Sequence, residues 1–113
     1  MNEYLPLGNH LLIDLYSCKN TDFNKKDLVE WCKVSKMTPL KYISYKFKPT
    51  GKSAVILLSE SHISIHTYPE WGYIALDIYT CGEYSQPYKA IEIIKEKFMP
   101  ERIEIKDNYR GIK

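Results

Sequence analysis

The chain has 113 residues, with 16 basic and 14 acidic side chains and a net charge of +2, a length suited to one domain around one core. With 44% hydrophobic and 27% charged residues and only five Gly and six Pro, the composition is globular, which excludes disorder, collagen and coiled coil. The balanced charge leaves no basic footprint for a nucleic acid, and the longest apolar run, residues 54–58, falls far short of the roughly 20 a membrane helix needs. Neither a nucleic acid nor a membrane is therefore an expected partner.

The opening MNEYLPLGNH has no basic patch followed by an apolar stretch, so no signal peptide is expected and the expected location is the cytoplasm. Cys18, Cys32 and Cys81, an odd number without paired spacing, form neither a disulfide framework nor a zinc knuckle. The ten Tyr residues suit either a wet interface or a cleft where rings stack on something flat.

In chain order, residues 10–18 (HLLIDLYSC) read as a first strand, and Asn20, Thr21 and Asp22 supply N-cap candidates for a helix to about Lys36 with Leu28, Trp31, Cys32 and Ser35 inward. Thr38 and Pro39 end that helix, and residues 42–48 alternate with the period of a strand. After a loop through Pro49, Thr50 and Gly51 come β-rich segments at 53–59, 62–67 and 73–80, the last two joined by a Pro69-Glu70-Trp71-Gly72 turn. Ser85 before Gln86-Pro87 reads as the cap of a second helix, which runs to about Phe98 with Ile91, Ile94 and Phe98 inward, is stopped by Pro100, and leads to a last strand at 102–106. Written as an order this is β-α-β-β-β-α-β. Short turns argue for antiparallel pairing, and two amphipathic helices can cover one face, so the expected fold is a two-layer α+β sandwich within a single domain over residues 1–113.

One junction breaks the turn rules. Between the strands ending near Leu58 and beginning near Ile63 the chain must reverse through Ser59, Glu60, Ser61 and His62, with none of the Gly, Asn or Pro that tight hairpins favour. Such failures mark either a strained, functional site, here a hydroxyl at a bent peptide near two histidines, or simply a longer polar loop. His62 and His66 would suggest a metal pair on a helix, but four residues of strand span roughly 13 Å, so these two share a face without sharing a metal. Their face is either an active-site face or a solvated one. Cys81 reads as a small buried residue or, if partly exposed, as an acid or nucleophile; Ser53 reads as an edge hydroxyl and Phe47 as core.

Residues 53–82, SAVILLSESHISIHTYPEWGYIALDIYTCG, resemble the centre of the short prokaryotic S-adenosylmethionine decarboxylases, pyruvoyl enzymes of polyamine synthesis. The resemblance extends to GNHLLIDLYSC in the first strand and to the Pro-Tyr-Lys-Ala start of the second helix, and so covers most of the chain. It implies a proenzyme in which the Ser61 hydroxyl attacks the Glu60 carbonyl, and the ester then eliminates and hydrolyses to a pyruvoyl group with loss of ammonia. Cleavage would leave a β chain, residues 1–60, and an α chain, residues 61–113. By the same resemblance Ser53 and His66 serve processing, with His66 as the base, and Cys81 returns a proton to the substrate's α-carbon. The resemblance further implies that Phe47 stacks on adenine together with His66 and that Glu70 holds the ribose hydroxyls.

The substrate's amino group would form an imine with the pyruvoyl ketone, which withdraws the electrons released with carbon dioxide. The implied activity is decarboxylation of S-adenosylmethionine, yielding the aminopropyl donor for spermidine. Arginine or ornithine is the alternative substrate, since the same chemistry serves any amino acid. A non-processing ligand-binding homologue is the alternative of another class, against which the joint presence of Ser53, Ser61, His66 and Cys81 argues. Relatives form dimers of processed αβ units, and a small sheet with one uncovered face gains core by pairing.

Overall fold

In the computed structural model, which describes residues 6–81 and 84–112, the alternating segments form one six-stranded sheet. The elements are β1 (Pro6–Tyr16), α1 (Lys25–Val34), β2 (Pro39–Lys46), β3 (Lys52–Leu58), β4 (Ser61–Tyr68), β5 (Tyr73–Thr80), α2 (Ile91–Phe98) and β6 (Arg102–Ile112). The strands lie in the order β2-β3-β4-β5-β1-β6, every neighbouring pair antiparallel. The two-layer α+β architecture is as expected. Four strands separate the helices, one for each of the segments at 42–48, 53–59, 62–67 and 73–80, so the order is β-α-β-β-β-β-α-β, one strand more than the order written from the sequence. Both 47–51 and 59–60 are true reversals, as expected, so each segment stands as a strand of its own.

The period of two sorts each strand into a dry and an open face. Leu11, Ile13 and Leu15 of β1, Ala54, Ile56 and Leu58 of β3, Ile63 and Ile65 of β4, and Ile74, Leu76 and Ile78 of β5 are all buried. Both helices cover this face and join the same core through Leu28, Trp31 and Cys32 of α1 and Ile91, Ile94 and Phe98 of α2. Trp31 and Phe98 meet edge to face with ring centroids 6.0 Å apart, which locks the two helices to each other. Burial of each such large side chain contributes about 1.5–3 kcal/mol, so this face holds the fold together. The expected inward residues of both helices, including Ser35, are buried.

Local ends differ from the sequence reading. The cap of α1 is Asn24, in a capping box with Asp27, rather than Asn20, Thr21 or Asp22. Asn20 instead donates to the Lys97 carbonyl at 3.1 Å and ties this loop to α2. Ser85 does not cap a helix: its hydroxyl accepts from Thr80 at 2.7 Å, and a 3-10 turn, Pro87–Ala90, precedes α2. Met99, at φ +47°, closes α2 in the left-handed conformation. β6 runs well beyond Lys106 because it pairs with β1 along its whole length, from Tyr16 opposite Arg102 to Pro6 opposite Ile112.

The opposite face of the sheet carries no helix. Ile43, Tyr45, Val55 and Leu57 stand exposed on it, and Phe47 just beyond β2 is half exposed rather than core. Among the described residues no helix is long and apolar enough to cross a membrane.

Candidate active site

Leu58 pairs with Ser61, which leaves only Ser59 and Glu60 in the β3–β4 turn. Two-residue hairpins normally place positive φ inside the loop, on Gly or Asn, to match the twist of the strands. Here neither loop residue takes it, and the excursion falls on Ser61 at φ +150°, a region that costs any residue with a Cβ. The junction is therefore the tight, strained alternative and not a longer polar loop.

The neighbouring carbonyl is held from outside the turn. The Glu60 carbonyl oxygen accepts from the Cys81 backbone N–H at 2.9 Å and from the Cys81 thiol at 2.9 Å, while the Ser61 hydroxyl reaches the same sulfur at 3.7 Å. Two donors on one carbonyl oxygen are what a tetrahedral oxyanion would need. The Gly82 that follows Cys81 in the sequence lies outside the described residues. The Glu60 carboxylate accepts from the Thr38 N–H at 2.9 Å and from the Thr38 hydroxyl at 3.3 Å. Burial pushes this carboxyl up, but donors on Thr38, Ser59 and its own amide outweigh burial and hold it below the ordinary glutamate range. Cys81 is exposed, whereas burial pushes the thiols of Cys18 and Cys32 up to about 11, which suits packing residues and not nucleophiles.

A second group assembles at the far end of the same hairpin. Ser53 and His66 face each other across β3 and β4, with the serine hydroxyl 2.7 Å from His66 Nδ1. They line a cavity of about 400 Å3 together with Phe47, Thr50, Tyr68 and Glu70. The Thr50 hydroxyl donates to Glu70 Oε2 at 3.0 Å, leaving the other carboxylate oxygen for a ligand. Half-exposed Phe47 offers a ring face and Glu70 an anion, a pairing suited to a flat base carrying a sugar diol.

The structure thus brings Ser53, His66, Phe47 and Glu70 together, and brings Glu60, Ser61 and Cys81 together. It does not join the two groups within one chain. Five residues of extended β4 separate Ser61 from His66, about 16 Å at about 3.3 Å per residue.

His62, next to Ser61 in sequence, belongs to a third cluster that sequence reasoning missed. On the open face Asp77 Oδ2 lies 2.6 Å from His10 Nε2 and 3.0 Å from His62 Nε2, and Asp77 also accepts from the Ser64 hydroxyl. Burial pushes the Asp77 carboxyl up, but these three donors more than offset it and hold the group below the ordinary aspartate range. The spacings are hydrogen-bond lengths, shorter than the roughly 3.3 Å between ligand atoms around a tetrahedral zinc, so the imidazoles spend their nitrogens on Asp77. Strand alternation could have placed all four residues on one face. Only the register makes them neighbours.

A family model described as S-adenosylmethionine decarboxylase matches residues 9–111. The chain is 41% identical to an S-adenosylmethionine decarboxylase proenzyme of Methanococcus maripaludis strain C7, over 94% of this chain and 91% of that one. It is 45% identical to a protein of the same description from a Sulfurihydrogenibium species, over 94% of this chain and 84% of that one. Its fold superposes on the crystal structure of the adenosylmethionine decarboxylase from Aquifex aeolicus with a TM-score of 0.86 and 37% identity, covering 96% of this chain and 94% of that one.

Proposed function

The chain belongs to the S-adenosylmethionine decarboxylase family, and we propose that it cleaves itself between Glu60 and Ser61 and then decarboxylates S-adenosylmethionine through a pyruvoyl group formed from Ser61. The observation that carries this reading is the Glu60 carbonyl, held by two donors of Cys81 beside a serine at φ +150°. The Ser61 hydroxyl attacks that carbonyl carbon, and the charge arriving on the oxygen falls where the Cys81 N–H and thiol already point. Collapse breaks the peptide C–N bond and moves the acyl group to the serine oxygen. Loss of the Ser61 α-proton to a base then expels Glu60 as a free carboxylate, and hydrolysis of the residue left at 61 releases ammonia. Backbone strain at Ser61 favours departure from the ground state.

Position 61 suits a serine-derived ketone, because it sits at a turn beside an exposed thiol and is not packed into the core. When formed, the group supplies an electron sink for the pair released with carbon dioxide. The protein's own residues do the rest. The Cys81 thiol, next to position 61, returns a proton to the substrate's α-carbon. Phe47 and the His66 ring hold the adenine, and the free oxygen of Glu70 takes the ribose hydroxyls. A ring face beside a carboxylate that can accept a diol suits the purine and ribose of an adenosyl substrate; ornithine has neither a flat group nor a diol, and arginine's planar guanidinium comes without the diol.

The roughly 16 Å between Ser61 and His66 calls for a second copy. We infer a homodimer of αβ units in which the open sheet faces stack and each copy lends its Ser53, His66, Phe47 and Glu70 to the other's Ser61 and Cys81. Exposed Ile43, Tyr45, Val55 and Leu57 give that face the apolar surface a stable pairing buries. A denaturing mass spectrum tests the self-cleavage. Two fragments, residues 1–60 and 61–113, the second with a blocked amino end, are expected; a single uncut chain after long incubation refutes it.

A further inference from the structure

Cleavage at Glu60 and Ser61 needs more than a hydroxyl and an oxyanion pocket, because a two-residue turn without Gly or Asn has no intrinsic reason to stay bent in one way. The restraint comes from outside the hairpin. Thr38, between α1 and β2, makes three hydrogen bonds to the turn: its N–H and hydroxyl go to the two oxygens of the Glu60 carboxylate at 2.9 and 3.3 Å, and its carbonyl accepts from the Ser59 N–H at 3.1 Å. Thr38 is itself anchored on both sides. Met37 before it is buried, with its N–H on the Cys32 carbonyl at 2.9 Å, and Pro39 after it begins β2. Glu60 is therefore gripped at two points, its side chain by Thr38 and its carbonyl by Cys81, both on the acyl side of the bond to be cut.

We propose that Thr38 is a positioning residue for self-cleavage: through the Glu60 carboxylate it fixes the scissile peptide in the orientation that the Ser61 hydroxyl attacks. This rests on the self-processing reading above. Without the clamp the turn samples other orientations, and only the competent fraction reacts.

The test follows cleavage in cell-free synthesised chains, with residues 1–60 and 61–113 resolved on a denaturing gel over time, and thermal melting of each variant alongside. Glu60→Ala, which removes both acceptors, should cleave about tenfold more slowly, and Glu60→Gln, which keeps an acceptor oxygen for the Thr38 N–H, should stay within about threefold of wild type. Thr38→Val keeps the backbone donor and should slow cleavage about threefold; it also carries the test should Glu60→Ala not fold. The double variant Thr38→Val/Glu60→Ala should be no slower than Glu60→Ala alone, because the hydroxyl acts only through the carboxylate. Wild-type cleavage by Glu60→Ala, no rescue by glutamine, or multiplying losses in the double variant overturns the proposal. An uncut wild-type chain sinks the self-processing reading as well, whereas a cut wild type with equally fast variants sinks only the role of Thr38.

Discussion

At the scale of single residues, Cys81 makes two kinds of contact from one position. Its N–H and thiol both meet the Glu60 carbonyl, and the same thiol lies beside the Ser61 hydroxyl. Cys81→Ala leaves the backbone donor in place, so self-cleavage should slow by roughly ten- to a hundredfold yet still reach completion. If the thiol is the proton donor, decarboxylation by the cleaved variant should fall by about a hundredfold or more. A cleavage time course with carbon dioxide release per cleaved chain separates the two effects. Full turnover by the alanine variant excludes the thiol as proton donor. The motif made Ser61, His66 and Cys81 candidates from the sequence alone, because their collinear spacing is specific. The backbone donor of Cys81 and the clamp of Thr38 were not readable, since an N–H belongs to every residue and nothing in Thr38-Pro39 names Glu60 as its partner.

At the scale of elements, Asp77 of β5 ties β1 through His10 to β4 through His62 and Ser64. Its carboxyl is held below the ordinary range, so the bonds contribute stability that is full above the unfolded carboxyl value, near 3.9, and is lost as pH falls through the lower folded value. Asp77→Asn should therefore cost about 2 kcal/mol at pH 7, a drop of roughly 10 °C in Tm. The gap should close as pH falls below about 4. Melting curves across that range check it, and a gap indifferent to pH assigns Asp77 no such role. Alternation in the sequence was enough to sort each strand into a buried and an open side, which is why the inward residues of the strands and helices are those expected. Element ends were less legible. Asn20, Asp22 and Ser85 are all competent caps by chemistry, and the choice of Asn24 depends on where α1 must begin to pack Leu28 and Trp31.

At the scale of the whole molecule, the candidate site is divided. One chain holds the Glu60–Ser61 bond and the Cys81 thiol at one end of the β3–β4 hairpin, and Ser53, His66 and the cavity lined by Phe47 and Glu70 at the other. A site shared between copies predicts complementation. Ser61→Ala and His66→Ala chains, each inactive alone, should regain activity when co-expressed, because a mixed dimer unites the intact Ser61 of one with the intact His66 of the other. Cleavage should then appear in the His66→Ala chain alone, and mass analysis of the mixture reads it directly. Failure of the mixed population to cleave, with mixed dimers present, excludes sharing.

The sequence by itself determined the α+β class, the antiparallel pairing, the face each strand buries and the order of reactive residues, because periodicity and local spacing are properties of neighbours along the chain. Tertiary structure decided which of those residues meet. Ser61 and His66 stand five apart in sequence yet end up at opposite ends of a strand, while Glu60 meets Thr38 and Cys81 from more than twenty residues away. An extended strand carries its residues apart by about 3.3 Å each, and only the register of the sheet and the reach of a loop bring distant ones together.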